Sequence, residues 1–149
     1  MNKNTIISII IPVYNEEESL EKLFEEISDS MKFFLDWEVI FINDGSNDGS
    51  NLILEKIAKS HQNIKLISFY KNFGKSDALA MGFDYVKGDI IITMDADLQD
   101  DPKEIIPLIN KIEEGWDLVS GWKRNRKDPI SKRYPSKFFN FITRFFTGI

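Results

Sequence analysis

Short apolar runs rich in β-branched residues alternate along this chain with longer segments in which apolar residues recur at the helical spacing. Strands are predicted at 6–13, 37–43, 64–69, 90–94 and 117–122, and helices at 19–34, 48–60, 75–86 and 102–114. The first helix is expected to bury Leu20, Leu23, Phe24, Ile27 and Met31, and the third to bury Leu79, Phe83 and Val86. Asp48 is expected to cap the second helix. Strict alternation is typical of an α/β domain, in which helices cover both faces of a mostly parallel sheet. In such sheets ligands bind beyond the carboxyl ends of the strands.

Composition excludes several classes of protein. The 149 residues, of which 42% are hydrophobic, are enough for one core of ordinary size. The lack of cysteine excludes disulfides, thiolate catalysis and Cys-ligated zinc, and fits a reducing cytoplasmic location. The sequence has no secretory signal pattern and no apolar run of the ~18 to 20 residues that a membrane-spanning helix needs. We therefore expect a soluble or peripheral protein.

Charge is distributed unevenly along the chain. Residues 120–149 contain eight Lys or Arg and one acid, whereas the first 119 residues carry a net charge of −12. Six Tyr or Phe residues are interleaved with the basic residues after position 122. A basic aromatic segment predicts an anionic partner with an apolar component, and a lipid headgroup surface satisfies both requirements. Nucleic acid is not expected as a partner.

Oxygen-bearing side chains follow the fourth predicted strand. Residues two apart in an extended chain point to the same side, so Asp95, Asp97 and Gln99 are expected to converge on one point. Helix capping accounts for Asp101, which precedes Pro102, but not for the carboxylates farther upstream. Adjacent carboxylates need a cation or a proton to offset their repulsion. An all-oxygen set with few protein ligands predicts Mg²⁺ or Mn²⁺.

The other predicted strands also end in polar groups, which a parallel sheet would place on the same rim. They include Tyr14, Asn15, Glu16, Asp44, Ser46, Asn72, Lys75, Lys123, Arg124 and Arg126. Residues 43–49 would favour a turn whatever their function, because Asn, Asp and Gly tolerate left-handed backbone angles. No P-loop and no dinucleotide fingerprint is found, so a nucleotide would be held by other groups, such as Asp44 at the base or ribose and Tyr14 beside the base.

Five short motifs of the chain together resemble those of the inverting glycosyltransferases of family 2, which have the GT-A fold. The closer resemblance is to the branch that transfers sugars to polyprenyl or dolichyl phosphates. The matching motifs are Ile-Pro-Val-Tyr-Asn-Glu-Glu at 11–17, Phe-Ile-Asn-Asp-Gly-Ser at 41–46, Lys-Asn-Phe-Gly-Lys at 71–75, Met-Asp-Ala-Asp-Leu-Gln-Asp-Asp-Pro at 94–102 and Lys-Arg-Tyr-Pro-Ser at 132–136.

The resemblance implies a Rossmann-like domain that binds a nucleotide-diphosphate sugar with UDP or GDP as the nucleotide. Its nucleotide-binding residues would be Pro12, Tyr14, Asn15, Glu16, Asp44, Ser46, Asn72, Lys75 and Asp95. Catalysis would depend on Asp95 and Asp97, with Gln99 as a third metal ligand. The phosphates of the donor or of the lipid acceptor would be bound by Arg133 and by one of Lys123, Arg124 and Arg126. Relatives usually place arginine where this chain has Lys123, and lysine lacks arginine's bidentate fork.

The resemblance also implies a division of the chain and a place of action. We expect residues 1–122 to be the donor-binding core, and residues 123–149 to begin a truncated C-terminal part that contacts the acceptor and the membrane. The expected reaction is sugar transfer with inversion to a polyprenyl phosphate at the cytoplasmic face of the membrane. Transfer to a saccharide hydroxyl, which would need a downstream Asp base, and a non-catalytic nucleotide- or phospholipid-binding module are the alternatives.

Overall fold

The computed structural model describes residues 5–121 of the chain, and the four predicted phosphate-binding residues, Lys123, Arg124, Arg126 and Arg133, lie outside this range. The elements are β1 (Ile7–Val13), α1 (Leu20–Met31), β2 (Trp37–Asn43), α2 (Ser50–Ser60), β3 (Ile64–Ser68), α3 (Lys75–Tyr85), β4 (Ile90–Thr93), a 3₁₀ turn (Pro102–Glu104) and α4 (Ile105–Glu113). Met1–Val119 forms one compact unit, which contains all of these elements.

The four strands form a single parallel sheet in the order β3-β2-β1-β4. The chain adds β2 and β3 on one side of β1 and then crosses to place β4 on the other side. The direction of winding therefore reverses between β1 and β4, and a crevice opens at that point beyond the carboxyl ends of the two strands. The predicted α/β class with a parallel sheet is confirmed.

Helices cover both faces of the sheet, as predicted. Alternate residues of β1 point to opposite faces, so that Ile9 and Ile11 belong to the larger core and Ile10 to the smaller one. The larger core is completed by the buried faces of α1, α2 and α4. The predicted apolar face of α1 is buried in full, at Leu20, Leu23, Phe24, Ile27 and Met31.

The buried face of α3 differs from the prediction. Leu79 and Val86 pack against the smaller core as expected, but Phe83 is 49% exposed. Ala78 and Gly82 are the buried residues of this helix. A Cβ atom on Gly82 would lie 2.4 Å from Ile10 Cγ2, so the helix backbone lies directly on the sheet. Small residues permit this close approach and leave the large aromatic side chain at the flank.

The predicted fifth strand is absent from the residues that the structure describes. Residues 117–121 have no strand conformation, and Leu118 is 86% exposed. An extended segment becomes a strand only when a neighbouring strand satisfies its backbone groups, and none of the described strands pairs with it. A short apolar run does not by itself indicate whether a neighbouring strand pairs with it.

Of the two predicted aspartate caps, that of Asp101 is found at the start of the 3₁₀ turn, whereas Asp48 lies one residue before Gly49, the N-cap of α2. Asp101 Oδ1 accepts a hydrogen bond from the Lys103 N–H (3.0 Å), with Pro102 in the first turn. Asp48 Oδ1 accepts from the Ser50 N–H (3.0 Å), but α2 begins at Ser50, two residues later than predicted.

Candidate active site

A cavity of about 320 Å³ lies at the crevice between β1 and β4. Its lining comes from the end of β1, from the loops that follow the four strands and from the start of α3, namely from Pro12, Val13, Tyr14, Glu16, Asp44, Asn72, Gly74, Lys75, Asp95, Ala96 and Asp97. Eight of these eleven residues were predicted to bind the nucleotide or the metal. We refer to this cavity as the rim pocket.

Asp44 connects the loop after β2 to the loop before α3. Its carboxylate accepts hydrogen bonds from the backbone N–H of Phe73 (2.7 Å) and of Gly74 (2.9 Å), and the residue is 3% exposed. The next residue, Gly45, has a φ of +68°, and a Cβ there would lie 2.3 Å from the Lys71 carbonyl carbon. The two loops are therefore in direct backbone contact, and Asp44 holds the pocket-lining residues of the second loop.

Lys75 and Asp95 connect opposite walls of the rim pocket. Gly74, which precedes Lys75, has a φ of +103°, a left-handed angle that favours glycine and turns the chain into α3. The Lys75 ammonium donates to Asp95 Oδ1. The Asp95 N–H donates in turn to Asp100 Oδ2 (3.0 Å), which fixes the backbone after β4.

Asn15 and Ser46 join the first two loops beside the pocket. The Asn15 N–H donates to Ser46 Oγ (3.0 Å), and the Asn47 N–H donates to Asn15 Oδ1 (2.9 Å). Neither Asn15 nor Ser46 lines the rim pocket. The nucleotide-binding role of these two residues stays a prediction, while their contribution to loop structure is evident from the geometry.

A further set of carboxylates reinforces the same pair of loops. Glu17 Oε2 accepts from the Gly49 N–H (2.6 Å), and Asp48 Oδ2 accepts from the Glu17 N–H (3.1 Å). Burial acts to raise the pKa of Asp48, but the hydrogen bonds from Ser50 and Glu17 outweigh it, so the pKa lies below its ordinary value. Sequence reasoning did not find this reciprocal pairing, because the partners are separated by 31 and 32 residues.

The chain after β4 does not continue in the extended conformation that the predicted convergence required. β4 ends at Thr93, residues 96–98 bend, and Leu98 has a φ of +58°. As a result Asp95 and Asp97 line the rim pocket, whereas Gln99 lines a second cavity of about 620 Å³. Asp97 Oδ1 accepts a hydrogen bond from the Gln99 N–H (3.1 Å).

The charges of the rim pocket favour a bound cation. Four carboxylates line it, those of Glu16, Asp44, Asp95 and Asp97, and they face a single ammonium group, that of Lys75. A diphosphate would be repelled from this lining unless a cation accompanied it. Within residues 5–121 no group of three or more acidic or histidine side chains is arranged to hold a metal. Two carboxylates fit a hard cation such as Mg²⁺ or Mn²⁺ whose other ligands are water and phosphate oxygens.

Comparison with known proteins agrees with this arrangement. Residues 8–149 match the family model for glycosyl transferase family 2. The chain belongs to this family. The undecaprenyl-phosphate 4-deoxy-4-formamido-L-arabinose transferase of Shewanella sediminis is 43% identical over 147 residues, which are 96% of this chain and 44% of that protein. The enzyme of the same description from Proteus mirabilis is 41% identical over 144 residues, 95% of this chain and 44% of that protein.

Solved structures place the family 2 chain among proteins of the GT-A fold. A glucosyl-3-phosphoglycerate synthase from Mycobacterium tuberculosis, in complex with Mn²⁺ and UDP, has a TM-score of 0.59 and 25% identity over 73% of this chain and 40% of that one. TarS from S. aureus, in complex with UDP-GlcNAc, has a TM-score of 0.61 and 19% identity over 83% and 37%. The chain spans less than half the length of the curated relatives and solved structures described above.

Proposed function

We propose that this chain is the donor-binding part of a glycosyltransferase that transfers a sugar, with inversion, from a nucleoside diphosphate to a polyprenyl phosphate. The observation that carries the proposal is the rim pocket at the β1–β4 crevice, a single cavity lined by Asp95, Asp97, Tyr14 and Asp44. A relative solved with UDP and Mn²⁺ supports a nucleotide and a metal in such a pocket. The nucleotide of the proposed donor is UDP or GDP.

The rim-pocket residues have distinct parts in this proposal. Tyr14, which is 46% exposed, packs beside the base, and the loop held by Asp44 contributes Asn72 and Lys75. Asp95 and Asp97 would hold a Mg²⁺ or Mn²⁺ ion together with the diphosphate. When bound, such an ion offsets the charge that builds on the nucleoside diphosphate leaving group. Lys75 contributes further positive charge at the same place.

A polyprenyl phosphate is the acceptor that the relatives support. The curated proteins at 43% and 41% identity are described as undecaprenyl-phosphate transferases. A phosphate oxygen is ionised at neutral pH, so this transfer needs no strong general base, in contrast to transfer to a sugar hydroxyl. We further propose that the basic aromatic residues after position 122 contact the acceptor phosphate and the lipid surface, and that the reaction takes place at the cytoplasmic face of the membrane.

Calorimetric titration of the purified protein with UDP and with GDP tests the donor site. We expect at least one nucleotide to bind in Mn²⁺ and to bind much more weakly in EDTA. Asp97→Ala should abolish the gain from Mn²⁺, because this exposed carboxylate faces the pocket. Asp84→Ala is the matched control, since Asp84 is also exposed but does not line the pocket. Binding to anionic lipid vesicles without any nucleotide binding would instead support the non-catalytic lipid-binding module.

A further inference from the structure

The charge of Lys75 lies at an electrostatically unfavourable position in its helix, which suggests a functional reason for it. Lys75 is the first residue of α3, an 11-residue helix, and its ammonium contacts Asp95. The positive end of a helix dipole disfavours a cation in the first turn, where acidic residues such as Asp77 are preferred. The lysine side chain is 58% exposed and could turn to solvent, yet it reaches across the pocket to a carboxylate.

The contact of Lys75 is made to one of the two carboxylates that a divalent cation would use. Asp95 and Asp97 face the same cavity, and a cation is needed to offset their repulsion. The ammonium supplies one positive charge to Asp95 in the metal-free protein. A divalent ion supplies two charges and repels the nearby ammonium group, so binding of the metal and persistence of the ion pair compete.

We infer that the Lys75–Asp95 ion pair is a cation-exchange latch. Lys75 neutralises Asp95 in the absence of metal, and entry of the metal releases its ammonium, which then binds the diphosphate of the donor. This inference rests on the proposed donor site. Lys75 thus acts in opposite directions on two ligands: it weakens the binding of metal alone and strengthens the binding of the nucleotide with metal.

Metal binding to the purified protein, followed by the electron paramagnetic resonance signal of free Mn²⁺, tests the latch without nucleotide. Lys75→Met should bind Mn²⁺ about two- to five-fold more tightly than the unmodified protein, the range expected from loss of one exposed ion pair. Lys71→Met is the matched control, because Lys71 lies on the loop that precedes α3, with its ammonium over the rings of Tyr70 and Phe73. The control should leave Mn²⁺ affinity unchanged.

Calorimetry with UDP and GDP in Mn²⁺ supplies the opposite arm, in which Lys75→Met should weaken nucleotide binding and Lys71→Met should not. A second measurement follows acetylation of the unmodified protein by an amine-reactive ester and mass spectrometry. Mn²⁺ alone should raise the reactivity of Lys75 relative to Lys71, because the ammonium is released. Adding the nucleotide that binds, UDP or GDP, should lower the reactivity of Lys75 again.

The outcomes separate the latch from the donor site. If the unmodified protein binds Mn²⁺ and nucleotide but Lys75→Met leaves Mn²⁺ affinity unchanged or weaker, the latch is wrong and the donor site stands. Unchanged Lys75 reactivity on Mn²⁺ binding would also overturn the latch. If the unmodified protein binds neither Mn²⁺ nor nucleotide, the proposed function fails and the latch fails with it.

Discussion

At the scale of single residues, Asp44 has a structural task that its place in the motif does not reveal. Its carboxylate accepts hydrogen bonds from the N–H groups of Phe73 and Gly74, which lie 29 and 30 residues farther along the chain, and so joins two loops. A buried carboxylate that accepts two backbone bonds positions whatever the second loop carries. Part of the effect of changing Asp44 should therefore appear in the free energy of unfolding, even with no ligand present.

We predict that Asp44→Ala lowers the free energy of unfolding by about 1–3 kcal/mol, because it leaves two partly buried N–H groups without an acceptor. Asp44→Asn retains one acceptor oxygen and should cost less. Urea denaturation measures both changes, with Asp84→Ala as the exposed control. Unfolding of Asp44→Ala at the same urea concentration and slope as the unmodified protein would show that these bonds do not stabilise the fold.

Residue types at strand ends were predictable, but contacts between loops were not. Parallel strands end at one edge of the sheet, so the sequence alone assigns Tyr14, Asp44, Lys75 and Asp95 to a shared rim. The direction of a side chain depends on the backbone angle of its neighbours. A single left-handed residue, Leu98, turns the chain so that Gln99 lines the other cavity, and leucine carries no sequence signal for that angle.

At the scale of elements, α3 depends on glycine at its contact with the sheet. The nearest atoms to a Cβ on Gly82 would be Ile10 Cγ2 at 2.4 Å and Ile42 Cδ1 at 3.1 Å. We predict that Gly82→Ala destabilises the protein, because about 1–3 kcal/mol of overpacking exceeds the roughly 1 kcal/mol gained in helix propensity. Thermal and urea denaturation measure the net effect.

Gly121→Ala is the control for this substitution, since among the described residues, apart from its chain neighbours, no atom lies within 4 Å of a Cβ placed there. It should leave stability unchanged. A stabilised Gly82→Ala protein would mean that α3 can move away from the sheet without loss, in contrast to the close packing described above. The predicted burial of Phe83 went wrong for the same reason, because helical period alone does not indicate how near a helix lies to its sheet.

Glu38 joins three strands and the α3–β4 connection at the end of the sheet opposite the rim pocket. Its carboxylate accepts hydrogen bonds from Ser8 Oγ (2.8 Å) and the Lys87 N–H (2.7 Å), and pairs with the Lys65 ammonium (2.8 Å). Burial acts to raise the pKa of Glu38, but these three interactions outweigh it and hold the pKa below its ordinary value.

The lowered pKa of Glu38 predicts the direction of a pH effect on stability. A carboxylate whose pKa is lower in the folded state stabilises the fold above its unfolded pKa, about 4.3 for glutamate, and loses that contribution as the pH falls through the folded value. Glu38→Gln should therefore lower stability more near pH 7 than near pH 3. Urea denaturation at a series of pH values measures this, with the exposed Glu25→Gln as control. An equal loss at both pH values would exclude the ionised carboxylate as the cause.

The loop contacts and the sheet order together explain why one site can be assembled from distant residues. β1 and β4 are neighbours although their sequences lie far apart, and the carboxyl ends of all four strands contribute to the rim pocket. The strand order itself was not predictable from periodicity, because β-branched runs show where strands form and not which strands pair. The reversal of winding between β1 and β4 opens the crevice in which the rim pocket lies.

At the scale of the whole molecule, the uneven charge along the chain predicts which part of it would bind an anionic membrane surface. Residues 120–149 contain eight basic residues and one acid, while the first 119 carry a net charge of −12. An anionic lipid surface should repel the first part and attract the second. Within residues 5–121 every helix is too short or too polar to cross a bilayer. Membrane contact through the C-terminal residues is therefore expected to depend on charge as well as on aromatic side chains.

We predict that the purified protein sediments with vesicles that contain anionic lipid and not with neutral vesicles, and that high salt weakens the binding through screening. Lys132→Glu combined with Arg133→Glu should reduce binding by more than ten-fold, since each basic residue near the surface contributes about 1 kcal/mol and each reversal adds repulsion. Lys22→Glu combined with Lys56→Glu is the control, because it reverses two exposed cations of the acidic part. If the control pair reduced binding as much as the C-terminal pair, the interaction would follow net charge alone. A protein that bound neutral and anionic vesicles equally would instead use its aromatic side chains without an electrostatic contribution.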